Sequence, residues 1–319
     1  MNKSSPPSLS IVVPCHNEQE VLSDTCKELL RLCNLWKDND KIINFEIVLV
    51  NNGSTDSSLE VMEKFHSQNK NIVIVDLWQD SGYQGSITAG VFEAKNDMVV
   101  SIDADLQDDP EKIEEMIEKY EEGHQMVLGI RGDRKRDSFL KRITAHFYYK
   151  LMIFMGAKSV YNHGDFRLLS RDVVEQLRKF PERVRYLRAM IFLVSSDYAT
   201  VKYDRRKRKL GKSKFSPIKL LTLAFDGITS FSNFPIRLIF AGGVVMFLLS
   251  TAGFIYVFYE KFVNDVSVPG WASLALIFLF FGGIQNLSIG IVGEYMSKMY
   301  IETKQRPVYL IRKIYRYEK

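Results

Sequence analysis

Short β-rich runs alternate with helical patterns through the first part of the chain, and that alternation restricts the fold more than any other feature. The runs are Leu9–Val13, Phe45–Val50, Ile72–Leu77, Met98–Ile102 and Met126–Ile130. Helical patterns lie between them, near Glu20–Leu35, Ser57–His66, Ser86–Ala94 and Glu111–Glu122. Such a rhythm predicts an α/β fold, a mostly parallel sheet covered by helices on both faces. Ligands in folds of this kind bind beyond the carboxyl ends of the strands. The polar segments Pro14–Glu18, Asn51–Asp56, Gln79–Gln84 and Asp103–Gln107 all follow strands, so one crevice can collect them.

Asp103 and Asp105 follow the apolar run Val99-Val100-Ser101-Ile102. In a continuing strand, alternate side chains share a face and the two carboxylates point the same way. Converging carboxylates repel unless a hard cation lies between them, and Mg²⁺ or Mn²⁺ held like that also takes phosphate oxygens. The plainer alternative is a solvated acidic loop. Pro110 and Glu111 suit the first turn of the next helix. Asn51-Asn52-Gly53-Ser54-Thr55-Asp56 reads as another strand-to-helix turn, where Gly53 permits a tight bend and Thr55 or Asp56 can cap the helix. Its amides offer donor and acceptor together, which suits a nucleobase edge as well as a simple capped turn.

Apolar residues are unevenly placed along the 319-residue chain, whose net charge is +5. Leu238 to Tyr259 carries no charge over about 22 residues and Val266 to Gly293 none over about 28, each enough to cross a bilayer. These stretches are expected to form a transmembrane hairpin, with a core hairpin of a large soluble protein as the alternative. Arg237 precedes the pair, and Lys298, Lys304, Arg306, Arg312, Lys313, Arg316 and Lys319 follow it. By the positive-inside rule both termini are then cytoplasmic. Met1–Ser8 lacks the apolar core of a signal peptide. Cys15, Cys26 and Cys33 have no metal or redox spacing and fit reduced, structural thiols.

Past Arg131, Phe139–Gly156 is patterned as a helix, Gly164–Ser170 as a strand and Asp172–Phe180 as a helix. Residues 202–214 are strongly basic. In Pro217–Phe234, Ile218, Leu221, Phe225 and Ile228 recur at helical spacing, which predicts an amphipathic helix lying on the bilayer, or a buried helix of the soluble part. The expected organisation is a cytoplasmic domain over 1–215, an interfacial helix over 216–235, a transmembrane hairpin over 236–294 with spans about 238–259 and 270–293, and a basic cytoplasmic tail over 295–319.

Together with Pro14-Cys15-His16-Asn17-Glu18, these turns form a set whose order resembles the nucleotide-sugar-binding domain of inverting glycosyltransferases of family 2. That domain is a Rossmann-like fold of GT-A type. Its usual pieces are a P-x-x-N-E turn, a D-D-G-S-x-D turn and a D-x-D-x-Q metal motif. The similarity continues through Gly129-Ile130-Arg131-Gly132-Asp133-Arg134, Gly164-Asp165-Phe166-Arg167 and Arg208-Lys209-Leu210-Gly211-Lys212-Ser213-Lys214-Phe215. The hairpin and the segments Gly293-Glu294-Tyr295 and Ile301-Glu302-Thr303-Lys304 match too. Essentially the whole chain resembles a polyisoprenyl-phosphate glycosyltransferase of the bactoprenol glucosyltransferase type, and more distantly the dolichol-phosphate mannose synthases.

The resemblance implies that Asp103 and Asp105, assisted by Gln107, hold Mg²⁺ or Mn²⁺ against a donor diphosphate. It implies that Pro14, Asn17, Glu18, Asn52, Asp56, Gln84 and Ala104 line the nucleotide sugar. Arg131, Arg134, Arg208, Ser213 and Lys214 would grip phosphates of donor or lipid. With Asp105, Asp165 is the position nominated as catalytic, to deprotonate the acceptor, orient the sugar or brace Arg167. A phosphate monoester acceptor has a second pKa near about 6 and needs no strong base. His163 is a neighbour rather than a ligand, since no second histidine has ligand spacing.

The implied activity is transfer of a hexose, glucose from UDP-glucose first, to undecaprenyl phosphate on the cytoplasmic leaflet of the bacterial inner membrane. The lipid-linked sugar would serve modification of a cell-surface polysaccharide such as O-antigen. Alternatives are GlcNAc, galactose, mannose or an aminoarabinose derivative as the sugar, or a non-catalytic membrane-anchored scaffold. Expected partners are membrane lipids, further copies of the chain in a homo-oligomer such as a tetramer, a flippase and a downstream membrane glycosyltransferase. The basic cluster beside the interfacial helix favours lipid over nucleic acid.

Two positions depart from the family pattern: Asn51 and Asn52 stand where relatives often have aspartates, and Gln79-Asp80-Ser81-Gly82 stands where they often have R-N-x-G. The donor sugar therefore does not follow from the resemblance. A processive polysaccharide synthase would carry a Q-x-x-R-W motif, which is absent, and Arg206 occupies the glycine position a P-loop requires.

Overall fold

A computed structural model describes residues 5–132, 160, 162–183, 185–204, 234–263 and 270–317. The chain divides into two units. The first begins with β1 (Leu9–Cys15), α1 (Gln19–Asp38), β2 (Phe45–Asn51), α2 (Ser58–Gln68), β3 (Ile72–Leu77) and α3 (Gly82–Glu93). It continues with β4 (Met98–Ser101), α4 (Lys112–Glu121), β5 (Met126–Arg131), β6 (His163–Ser170), α5 (Arg171–Arg178), α6 (Leu187–Val194) and β7 (Ala199–Tyr203). Two long helices, α7 (Phe234–Val263) and α8 (Trp271–Lys304), make up the described part of the second unit. The last strand, β8 (Ile311–Tyr315), returns to the first unit.

The eight strands form one sheet in the order β7-β5-β6-β4-β1-β2-β3-β8. Helical crossovers make β4, β1, β2 and β3 parallel neighbours, as strand–helix alternation dictates. The sheet is nevertheless mixed. β6 runs antiparallel to both β4 and β5, and β8 adds antiparallel to the β3 edge. An antiparallel β6 matters for the site because Arg167 lies opposite Ser101, the last residue of β4, and the first residues of β6 extend past that end.

β1 and β2 are buried along their whole length, as strands covered on both faces must be. α1 packs on them through Leu22, Cys26, Leu29, Cys33 and Trp36, spaced three or four residues apart. Cys15, Cys26 and Cys33 are free and buried, and burial pushes the Cys26 thiol up to about 12. The other contact is closer. α3 meets the sheet through small residues, and a Cβ added at Gly90 would lie 2.3 Å from Val12 Cγ1 and 2.7 Å from Val50 Cγ2.

The uncharged stretches expected to cross a bilayer are helical, as α7 and α8. Among the described residues, however, no helix is long and apolar enough to cross a membrane. A span takes about 20 consecutive, predominantly apolar residues. The expected transmembrane hairpin is corrected on that finding. So is the multi-pass placement in the inner membrane with cytoplasmic termini and active site. Large apolar side chains on both helices, including Phe240, Leu248, Phe278 and Phe280, are exposed. The interfacial helix expected over 216–235 lies outside the described residues up to position 233.

Because both valines are β-branched and fixed in the sheet, Gly90→Ala is expected to destabilise the first unit by about 1–3 kcal/mol through overpacking. A urea titration checks it; an unchanged midpoint would mean that α3 can shift away from β1 and β2.

Candidate active site

The carboxyl ends of β1 to β4 carry turns that are tied to one another. Asn17 takes the left-handed conformation, φ 55°, which asparagine tolerates better than most residues. Its side-chain oxygen accepts from the Thr55 backbone N–H at 2.8 Å, and its own N–H donates to Ser54 Oγ at 3.1 Å. Asp56 accepts from the N–H groups of Ser58 at 3.0 Å and Gln19 at 3.3 Å, so one carboxylate serves the starts of both α1 and α2. Burial opposes its ionisation, but hydrogen bonds from Ser58 and Gln19 outweigh it and hold the Asp56 carboxyl below its ordinary value. Glu18 joins the same junction, its N–H donating to Ser58 Oγ at 2.9 Å.

Asn52 ties this turn to the next. Its amide donates to Asp80 Oδ1 at 2.6 Å and its carbonyl oxygen accepts from Ser81 N–H at 2.9 Å. Gly53 sits between them at φ 61°, where a Cβ would lie 2.5 Å from the Asp80 backbone nitrogen. Only glycine fits. Thus Asn17, Asn52 and Asp56, read as lining a nucleotide sugar, spend these polar atoms on building the turns. Pro14 lies within β1, opposite Val50. Ala104 is buried, and its carbonyl accepts from Thr25 Oγ1.

β4 ends at Ser101, so Asp103 and Asp105 do not share a strand face. They sit in the turn that follows, where Leu106 takes φ 49° and Asp105 Oδ1 accepts the Gln107 N–H at 3.1 Å. That corrects the alternation argument while keeping the two carboxylates within one field. Burial pushes the Asp103 carboxyl up to about 6. Asp108, Asp165 and Asp105 add to the rise, partly offset by the Tyr83 hydroxyl, which donates to Asp103 Oδ1 at 2.8 Å. Among the described residues, no three His, Cys, Asp or Glu side chains are grouped to hold a metal unaided. Asp103 and Asp105 carry the hard oxygen donors that Mg²⁺ or Mn²⁺ prefers, as a partial set only.

The remaining acids of the cluster have hydroxyl or guanidinium partners. Asp108, buried, accepts from Tyr203 Oη at 2.7 Å and faces Arg131 Nη2 at 4.0 Å; Arg131 Nε also donates to Tyr203 Oη at 3.3 Å. Asp165 is buried between two guanidiniums. Arg167, beside it on β6, donates to Oδ1, while Arg188 on α6 donates to Oδ2 from Nε at 3.1 Å and Nη2 at 2.6 Å. Arg188 and then Arg167 overcome the effect of burial and hold the Asp165 carboxyl well below the usual range. Such a carboxylate is a weak proton acceptor. Burial and Arg167 push the His163 ring well below its ordinary value, and it stays neutral.

Gln84 belongs to this arrangement indirectly, its Oε1 accepting the Leu187 N–H at 3.1 Å and holding the start of α6, next to Arg188. Sequence reasoning missed Arg188, Tyr83, Asp108 and Tyr203. For Arg188 there was a signal: it is the single cation within the otherwise apolar Leu187–Val194. Arg134, Arg208, Ser213 and Lys214, expected to grip phosphates, lie outside the described residues.

Residues 10–178, more than half of the chain, match the family described as Glycosyl transferase family 2. The chain belongs to that family. This family 2 glycosyltransferase is 41% identical over 97% of its length to "Uncharacterized glycosyltransferase YkoT" of Bacillus subtilis strain 168, covering 92% of that protein. It is 37% identical to "Prophage bactoprenol glucosyl transferase homolog" of Escherichia coli K12, across 96% of this chain and 99% of that one. Among solved structures, the mannosyltransferase PcManGT of Pyrobaculum calidifontis, in complex with GDP-Man and Mn²⁺, aligns with a TM-score of 0.45 at 16% identity. That alignment covers 94% of this chain and 86% of PcManGT, a likeness too loose to carry an argument.

Asp165→Asn leaves two guanidiniums, one of them fully buried, without their counter-charge, and is expected to destabilise the first unit by about 3–5 kcal/mol. Equilibrium denaturation checks this. A loss below about 1 kcal/mol would show that the arginines find other partners.

Proposed function

We propose that this glycosyltransferase moves a hexose, glucose in the first instance, from a UDP-sugar to a polyisoprenyl phosphate with inversion at the anomeric carbon. The observation that carries the reading is the pairing of two environments beside the end of β4. One is the turn of Asp103 and Asp105, where burial and neighbouring acids raise Asp103 and a cation would favour its ionised form; the other is Asp165, a carboxylate already held by two arginines. Relatives named bactoprenol glucosyl transferase, or a homolog of it, matched over nearly their full length, support a glucosyl group and a bactoprenol carrier.

Asp103 and Asp105 would hold Mg²⁺ or Mn²⁺, which when bound neutralises charge on the departing nucleotide diphosphate. The turns built by Asn17, Asn52 and Asp56 present their backbones to the nucleotide and fix where the sugar's first carbon lies. A lipid phosphate oxygen attacks that carbon in line. The new C–O bond forms as the bond to the donor's terminal phosphate oxygen breaks, and the electron pair leaves with the nucleotide diphosphate. A phosphate monoester is largely ionised at neutral pH, with a second pKa near about 6, so no side chain has to remove a proton from it. That suits Asp165. Its role in this reading is to hold Arg188, which is partly exposed, as a fixed positive charge for the phosphates.

The test is incorporation of label from UDP-glucose, UDP-galactose and UDP-GlcNAc into undecaprenyl phosphate. UDP-glucose is expected to give the most product, and Asp105→Asn to abolish it; full transfer by that variant would remove Asp105 from the mechanism.

Asp103 makes a second prediction. Its folded value lies above the ordinary 3.8, so the folded chain binds the proton more tightly than the unfolded one. Ion-free stability from this group therefore falls as pH rises from the ordinary value to about 6. A divalent cation reverses that cost only where Asp103 is ionised. Mn²⁺ should raise the melting temperature more at pH 7 than at pH 5, and equal shifts would contradict a site at Asp103.

A further inference from the structure

The donor turn is anchored from the far end of the chain. Asp76, on β3, is fully buried and takes no part in the chemistry above. Its Oδ1 accepts from Asn51 Nδ2 at 2.7 Å, directly across the ladder from β3 to β2. Its Oδ2 faces Arg312 Nη1 of β8 at 3.6 Å. The β3–β8 pairing shifts register here: Asp76 lies opposite Lys313 and Leu77 opposite Ile311, which skips Arg312. Irregularities of this kind re-aim a side chain. Arg312 is held in place by Trp78, whose carbonyl accepts from Nη2 at 3.3 Å and whose ring lies 4.9 Å from the guanidinium. On the other side, Asn51 Oδ1 accepts the Ser54 N–H at 3.2 Å, inside the turn that carries Asn52 and Asp56.

We propose that Arg312 is a positioning residue for the nucleotide-binding turn, acting through Asp76 and Asn51 on the Ser54 amide. The chemistry accounts for each member. Asp76 is a buried carboxylate and needs a donor at each oxygen. Asn51 alone can both donate to Asp76 and accept from Ser54; an aspartate there would set two carboxylates face to face. The departure from the D-D-G pattern at position 51 is then the complement of Asp76. β8 is part of the donor site, although none of its residues touches the nucleotide. The inference rests on the nucleotide-donor reading.

The experiment measures UDP binding with Mn²⁺ by calorimetry on the full chain, donor KM and kcat, and hydrogen exchange at the Ser54 amide. Arg312→Gln and Asn51→Asp should each weaken UDP binding roughly tenfold, the worth of one hydrogen bond, and raise donor KM more than they lower kcat. Arg312→Lys, keeping the charge, should stay within about threefold of the parent. The exchange Asn51→Asp with Asp76→Asn rebuilds every donor–acceptor pair and should restore both binding and Ser54 protection. Single variants that bind UDP like the parent, or a double variant no better than Asn51→Asp alone, would overturn the proposal. Should the parent chain take up no UDP, the nucleotide reading fails. Ser54 exchange then decides the relay: faster exchange in Arg312→Gln sustains it, and unchanged exchange ends it.

Discussion

Like charges gathered at the mouth of a sheet repel, and the first unit brings Asp103, Asp105, Asp108 and Asp165 into one neighbourhood all the same. It does so by settling most of the charge internally. Arg167 and Arg188 clamp Asp165, while Tyr203 and Arg131 face Asp108. What stays under electrostatic pressure is the turn after β4, where Asp103 is raised by burial and by its acidic neighbours. The arrangement places a demand for positive charge at one point of the crevice, and the proposed chemistry uses that point.

The second constraint is geometric. Backbone N–H groups of one turn donate to Asn17, Asn52 and Asp56 of another, and Asn51 accepts within its own turn, so the turns after β1, β2 and β3 brace one another. Such cross-bracing sets the shape of a binding crevice before any ligand arrives, and lowers the entropy lost on binding. It also explains why so many of the expected ligand contacts are turn builders. A polar residue at a strand end meets the orphan N–H groups of the next helix first.

Much of the α/β rhythm was legible because fully buried parallel strands are short apolar runs bounded by turn residues. β1 to β5 begin at the residues the sequence indicates, and β6 begins one earlier than read. α6 escaped because an eight-residue apolar run does not distinguish helix from strand. β8 escaped because Ile311-Arg312-Lys313-Ile314-Tyr315 is charged, as edge strands often are, and sits in a basic segment that reads as a tail. In the site, residue types were visible and geometry was not. Asp103 and Asp105 meet through a turn rather than a strand face, and Arg188 reaches Asp165 from a separate helix. The uncharged stretches after residue 237 were legible as long helices, but absence of charge did not establish a crossing, since among the described residues no helix is long and apolar enough for one.

A phosphate nucleophile asks little of a general base and much of positive charge, which matches a site where Arg167 and Arg188 hold Asp165 ionised. The central claim is that the cation and the diphosphate meet at the turn after β4. A crystal of the full chain grown with UDP-glucose and Mn²⁺ tests it most directly. The account predicts the ion in contact with the Asp103 or Asp105 carboxylate and with a diphosphate oxygen, with the nucleotide against the Asn51–Asp56 turn. An ion and nucleotide bound away from both would contradict it.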